Sequence, residues 1–150
     1  MPLNIVLIEP EIPNNTGNIG RLALATGSKL HLVKPFGFEL DDSRLKRAGL
    51  DYWQHLDVHI YDSIEAFFQQ NEDRSFVFFS SHGNKSHWDI EFHNDLFLVF
   101  GKESVGLPKS LLELHKDHIY RIPMFSDHIR SLNLANAVSI IVYEGIRQLR

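Results

Sequence analysis

Apolar residues come along this chain in short bursts set off by polar turns, and the bursts switch between strand-like runs and helical spacing. Asn4-Ile5-Val6-Leu7-Ile8 is a nearly unbroken apolar run closed by Pro10 and Pro13, the pattern of a strand buried on both faces. Beyond it, Ile19, Leu22, Ala23 and Thr26 recur at helical spacing, with Thr16 placed as an N-cap and Gly27 placed to end the helix. Leu30 to Val33 reads as a second strand stopped at Pro35, Asp42 to Ala48 as a short helix ending at Gly49, and Val58 to Tyr61 as a third strand. Asp62 and Glu65 form a variant capping box for a helix through Gln70. Phe76 to Phe79, Leu96 to Phe100 and Ile119 to Ile122 predict three more strands, and the chain finishes in a helix from Leu132 to Leu149. Along that helix Leu134, Val138, Ile141, Val142 and Leu149 make one stripe, which Ala135, Ala137 and Ile140 widen. So wide an apolar surface predicts burial on two sides, either deep within one domain or between the sheet and a second subunit.

Strands alternating with helices predict an α/β fold with a mainly parallel sheet and helices on both faces, in which ligands bind beyond the carboxyl ends of the strands. Three polar, glycine- and asparagine-rich patches sit where apolar runs end: Asn15 to Arg21, Gly101 to Pro108, and Ile122-Pro123-Met124 leading into Arg130-Ser131-Leu132-Asn133-Leu134. These patches are where a ligand site is expected.

With 150 residues and no internal repeat, the chain is expected to form a single domain, residues 1–150, large enough to bury a full core. The absence of cysteine excludes disulfides, thiolate nucleophiles and cysteine-ligated zinc. No basic leader precedes an apolar stretch, and no run approaches the roughly 20 apolar residues of a membrane span. A cytoplasmic protein without a membrane partner is the expectation. A formal net charge of -4 argues against a generally basic nucleic-acid binder, so any such role must rest on local cations such as Arg21, Arg121, Arg130 and the Arg44, Lys46 and Arg47 cluster.

The patches exclude several chemistries. The 101–106 turn has Glu103 where a dinucleotide fingerprint needs glycine, and a carboxylate there repels a pyrophosphate. The phosphate-loop pattern fails as well, because Leu96 stands where its first glycine belongs. The turn suits a ligand with cationic or donor groups, of which S-adenosyl-L-methionine is one. The nine histidines show no metalloprotease spacing, so no metal is expected. Ser126-Asp127-His128 has the letters of a hydrolase triad, but adjacent loop residues point apart. His82-Gly83-Asn84 reads as a turn. Arg21 opposes the helix dipole in the early turns of its helix, a placement that an anionic partner such as a phosphate would make sensible.

Taken together, Asn-Thr-Gly-Asn-Ile-x-Arg at 15 to 21, Phe-Gly-x-Glu-x-x-Gly-Leu-Pro at 100 to 108, and Ile-Pro-Met with Arg-Ser-Leu-Asn-Leu-x-Asn-Ala-Val at 122 to 138 resemble the three ordered motifs of the SPOUT class of RNA methyltransferases. The likeness is to the branch that methylates ribose 2′-hydroxyls. The compact size, Glu9-Pro10-Glu11-Ile12-Pro13 and Arg47 to Tyr52 resemble the minimal enzymes acting on the tRNA wobble nucleotide, a C or a modified U at position 34.

The resemblance implies a C-terminal trefoil knot, S-adenosyl-L-methionine as cofactor, tRNA as partner, a homodimer, and no action on DNA, which lacks the 2′-hydroxyl. It implies a cofactor site at Phe79, Ser80, Gly101, Glu103, Ile122, Met124, Ser131 and Leu132, with Arg21, Asn15, Glu103, Ser131 and Asn133 as the catalytic set. Two departures from the family pattern stand out: His82 replaces a common lysine, and the segment 125–129 is slightly long. The rivals are a ribosomal RNA methyltransferase and a nucleotide-binding module without chemistry.

Overall fold

Successive side chains of strand β1 (Asn4–Ile8) enter opposite cores, which is why its apolar run is continuous. Ile5 and Leu7 belong to one cluster of buried residues, and Val6 and Ile8 to a second. The computed structural model describes residues 2–40, 43 and 50–150. The expected helix from Asp42 to Ala48, apart from Ser43, and the cluster of Arg44, Lys46 and Arg47 lie outside the described residues, as does 47–49 of the subfamily-like segment.

β1 pairs in parallel with β2 (Lys29–Val33) on one side and β6 (Phe97–Phe100) on the other. With β3 (Val58–Tyr61), β4 (Phe76–Phe79), β5 (Lys85–Ser86) and β7 (Ile119–Arg121), the described residues form a sheet of order β3-β2-β1-β6-β4-β7-β5, parallel throughout. The chain builds outward from β1 in one direction and then resumes on its other side. The crevice beyond β1 and β6 is therefore the switch point where α/β sheets bind ligands.

Helices cover both faces. α1 (Pro13–Thr26) and α4 (Leu134–Leu149) bury Ile19, Ala23, Val138, Ile141 and Val142 in the first core. On the other face, α2 (Ile64–Gln70) and α3 (Lys109–Leu114) contribute Phe67 and Leu111. Gly145 lets α4 settle on the 90–92 segment, since a Cβ there would come within 2.7 Å of the Phe92 ring. Gln148 completes the seam, accepting from the Phe92 N–H and donating to the Ile90 carbonyl.

Several expected boundaries move. α1 starts at Pro13, with Ile12 in the N-cap position, so Thr16 is not the cap: it lies inside the helix with a buried hydroxyl that has no hydrogen-bond partner among the described residues. Proline is pre-set for the first helical position and donates no N–H, which favours this earlier start. Gly27 ends α1 as expected, at φ 66. Ser63, not Asp62, caps α2 and accepts from the Ala66 N–H. Asn133 caps α4, whose helix begins two residues after the expected Leu132. β5 and α3 were not foreseen; one is too short and the other too polar at its start to show a period. The broad apolar face of α4 is covered on one side only, leaving Ile140 and Tyr143 exposed in the single chain.

One buried polar line crosses the sheet. His31 Nδ1 lies 2.8 Å from the Tyr61 hydroxyl, and its Nε2 lies 2.8 Å from Asn4 Oδ1. Asn4 Nδ2 donates to the Asp95 carbonyl, which turns the amide oxygen toward His31. Nε2 therefore carries the imidazole proton, and Nδ1 accepts from tyrosine. Burial first, and then the neighbouring His59, push this imidazole down to about 3.

Candidate active site at the strand ends

The loops leaving β4, β6 and β7 meet the N-terminal turn of α1 around a cavity of about 910 Å³. All the residues foreseen for a cofactor line it: Phe79 and Ser80 after β4, Gly101 and Glu103 after β6, Ile122 and Met124 after β7, and Ser131 and Leu132 before α4. Asn15 and Asn133 line it too. Arg21 does not; it lies exposed on α1, two turns beyond Asn15. A larger groove of about 1090 Å³ runs past Phe68, Leu114 and His118, but none of the strand-end residues just named reaches it.

Local rules explain the cavity walls. Phe79 stacks on Phe100, ring centroids 4.7 Å apart, fixing where their strands end. Gly101 must be glycine, because a Cβ would overlap the Gly106 carbonyl carbon and the Leu107 nitrogen. The loop it opens doubles back through a bridge between Lys102 and Gly106, with Gly106 at φ 74. The Ser80 loop is held to β7: the Ser80 N–H donates to the Tyr120 carbonyl, and Arg121 Nη1 donates to the Gly83 carbonyl at 2.9 Å.

Glu103 differs from expectation. Its carboxylate does not stand open for a cationic ligand, because it accepts from the Glu11 N–H at 2.8 Å, the Ile12 N–H at 3.0 Å and Asn15 Nδ2 at 3.2 Å. It thus places a negative charge at the mouth of α1, where no side chain of the helix's own supplies a cap. Asn15 passes the link on: its Oδ1 accepts from Asn133 Nδ2 at 3.1 Å, while Asn133 Oδ1 accepts from the Asn136 N–H. A line of hydrogen bonds therefore joins all three patches.

Two participants were missed. Glu9 lies 3.2 Å from Lys102 Nζ, and Glu11 accepts from the Ser104 N–H at 2.8 Å. Bonds from Ser104 hold the Glu11 carboxyl below the usual range, with Lys102 adding a smaller pull. The signal was the Glu9-Pro10-Glu11 sequence, an acidic pair in a loop that enters a helix.

Glu103 is bonded within the protein and Lys102 is paired with Glu9, so Lys109, Arg121 and Arg130 are the other charged side chains lining the cavity. Among the described residues Glu103 is the one carboxylate lining it. This local balance runs against the chain's net charge of -4. The apolar walls at Phe79, Ile122, Met124 and Leu132 suit a flat ring system. Among the described residues no group of three or more His, Asp or Glu could hold a metal ion, and no helix is long and apolar enough to cross a membrane.

Residues 2–143 match the SpoU rRNA Methylase family. The chain is 48% identical over 147 residues to the tRNA (cytidine(34)-2′-O)-methyltransferase of Saccharophagus degradans, covering 97% of this chain and 95% of that one. A solved structure concerned with the 2-OH methylation of C/U34 on tRNA superposes with a TM-score of 0.93 at 44% identity, over 98% of this chain and 95% of that one. The SpoU methyltransferase AviRb from Streptomyces viridochromogenes, solved with the cofactor AdoMet, superposes with a TM-score of 0.85 at 26% identity, over 99% of this chain and 58% of AviRb.

Proposed function

The chain belongs to the SpoU methylase family, and on that premise we propose that it transfers a methyl group from S-adenosyl-L-methionine to the ribose 2′-hydroxyl of tRNA at wobble position 34, a cytidine or uridine. The observation that carries this reading is the convergence of the three patches on one cavity at the switch point of a parallel sheet. When bound, S-adenosyl-L-methionine supplies a methyl already activated by its sulfonium.

The residues present fit that group. Phe79, Ile122, Met124 and Leu132 offer apolar walls to an adenine, and the Gly101 turn gives backbone access that a side chain would block. Ser131 and Asn133 offer hydroxyl and amide groups at the rim. Glu103 works by setting the position of Asn15 and of the loop before α1.

The remaining task is to place the ribose and ease removal of its hydroxyl proton. Correct placement of two reactants is worth roughly 7 to 11 kcal/mol at its upper end. Arg21 is assigned to the RNA: a guanidinium stays protonated to above pH ~12, so it serves as a clamp on phosphate and a positive neighbour to the hydroxyl. Its place outside the cavity of its own chain fits a homodimer in which α1 of one subunit serves the other's site. The exposed apolar residues Leu24, Ile140 and Tyr143 on α1 and α4 supply a face for such pairing. The family's trefoil knot and cytoplasmic action on tRNA belong to the same reading.

The deciding experiment is incubation with S-adenosyl-L-methionine and unmodified total tRNA, then nuclease digestion and mass spectrometry. A 2′-O-methyl nucleotide from position 34 is expected. No new methylated nucleotide in tRNA overturns the proposal, and methylation of ribosomal RNA alone reassigns the substrate.

A further inference from the structure

Two acidic residues just beyond β1 grip the tip of the loop that follows β6, and that loop grips back. Glu9 Oε1 lies 3.2 Å from Lys102 Nζ, and Glu11 Oε1 accepts from the Ser104 N–H at 2.8 Å. In return, Glu103 accepts from the backbone N–H groups of Glu11 and Ile12. Charge-assisted bonds thus cross between the loops in both directions, and such bonds are among the stronger hydrogen bonds.

The base of the 101–107 loop is closed by its own Lys102–Gly106 bridge, but its tip has no such support. Val105 at the tip is 77% exposed. Residues 103 and 104 are held by their partners across the gap. Glu9 makes its contact from φ 52, in the left-handed region that non-glycine residues enter only when their surroundings hold them there. Gly37 braces the same loop from behind: its N–H donates to the Pro10 carbonyl, and a Cβ there would come within 2.8 Å of the Glu11 carbonyl oxygen.

Residues 101–107 all line the cavity, whereas neither Glu9 nor Glu11 does. We propose that Glu11 is a positioning residue for the cofactor: from outside the cavity, it holds Ser104 and hence the 101–107 loop in the shape that closes around S-adenosyl-L-methionine. The identity of the ligand rests on the function proposed above. The clasp also makes the loop before α1 and the cofactor loop one mechanical unit, so that closing the second sets the first.

The test is calorimetric titration of the full chain with S-adenosyl-L-methionine, alongside thermal melts without ligand, for Glu11→Ala and Glu11→Gln. Glu11→Ala is expected to weaken binding about tenfold, the scale of one lost charge-assisted bond. Glu11→Gln recovers part of that loss, because its amide oxygen still accepts from the Ser104 N–H. Wild-type affinity in Glu11→Ala, or a loss that tracks melting temperature and is not relieved by glutamine, overturns the assignment. If the unaltered chain binds no S-adenosyl-L-methionine, the functional reading falls together with the clasp; tight wild-type binding that Glu11 does not influence removes the clasp alone.

Discussion

Asn133 donates from Nδ2 to Asn15 Oδ1 at 3.1 Å, across 118 positions of sequence, while its own Oδ1 caps α4. One side chain therefore ties the start of the last helix to the start of the first. The two duties separate by substitution. Asn133→Ser keeps a good cap and gives up the tether; Asn133→Ala gives up both. Asn133→Ser is expected to melt close to wild type yet methylate tRNA more slowly, and Asn133→Ala to lose a further ~1 kcal/mol of stability. Equal activity of Asn133→Ser and wild type removes Asn133 from the site.

Arg21→Ala tests the division between cofactor and RNA. A cation that acts on the RNA is expected to cost on the order of a hundredfold in methyl transfer, comparable to deleting one preorganised electrostatic partner, with cofactor affinity unchanged. Loss of cofactor binding in this variant would place Arg21 in a different role. Single-turnover rates and calorimetry on the same preparation give both readouts.

The buried His31 makes stability depend on pH in a defined direction. Folded, its imidazole stays neutral to about 3; unfolded, it takes a proton below about 6.5. Between those values the unfolded chain binds more protons, so stability is complete above about pH 6.5 and falls as pH drops toward 3. From pH 7.5 to 5 the loss is expected to be about 2 kcal/mol greater in wild type than in His31→Gln, which cannot titrate. Urea midpoints at the two pH values measure it, and parallel losses in the two proteins exclude His31 as the cause.

Two glycines predict opposite defects. A Cβ at Gly145 would press on Phe92 and Leu3, so Gly145→Ala is expected to lower stability by about 1–3 kcal/mol of overpacking, less up to about 1 kcal/mol of improved helix propensity. Gly101→Ala would displace the Gly106 backbone instead, and the loss is expected in cofactor binding. Melting curves and titration of both variants check the contrast. A Gly101→Ala protein that binds cofactor normally shows that the loop can yield.

Much of the fold was legible because buried parallel strands leave continuous apolar runs, as at residues 4–8 and 76–79, and because Gly27 marks a helix end without ambiguity. The cavity residues were legible only through motif likeness; no periodicity says that Phe79 and Leu132 face one space. Thr16 and Asp62 misled for one physical reason. A helix start is set by which residues suit its first turn and which acceptors reach its free N–H groups: α1 starts at Pro13 with Ile12 in the N-cap position, and Ser63 caps α2. The partners of Glu103 were invisible because they lie 88 to 92 positions away, brought close only by the pairing of β1 with β6.

That pairing also sets a timetable. β1 is made first, yet one of its two neighbours is Phe97–Phe100, and the cavity needs Ser131 to Asn133 besides. A nascent chain made at roughly 5–20 residues per second carries β1 for about 5–20 s with one edge unpaired. The central strand therefore waits for its partner during synthesis, and the cavity is complete only after the segment from Ser131 to Asn133 has left the ribosome.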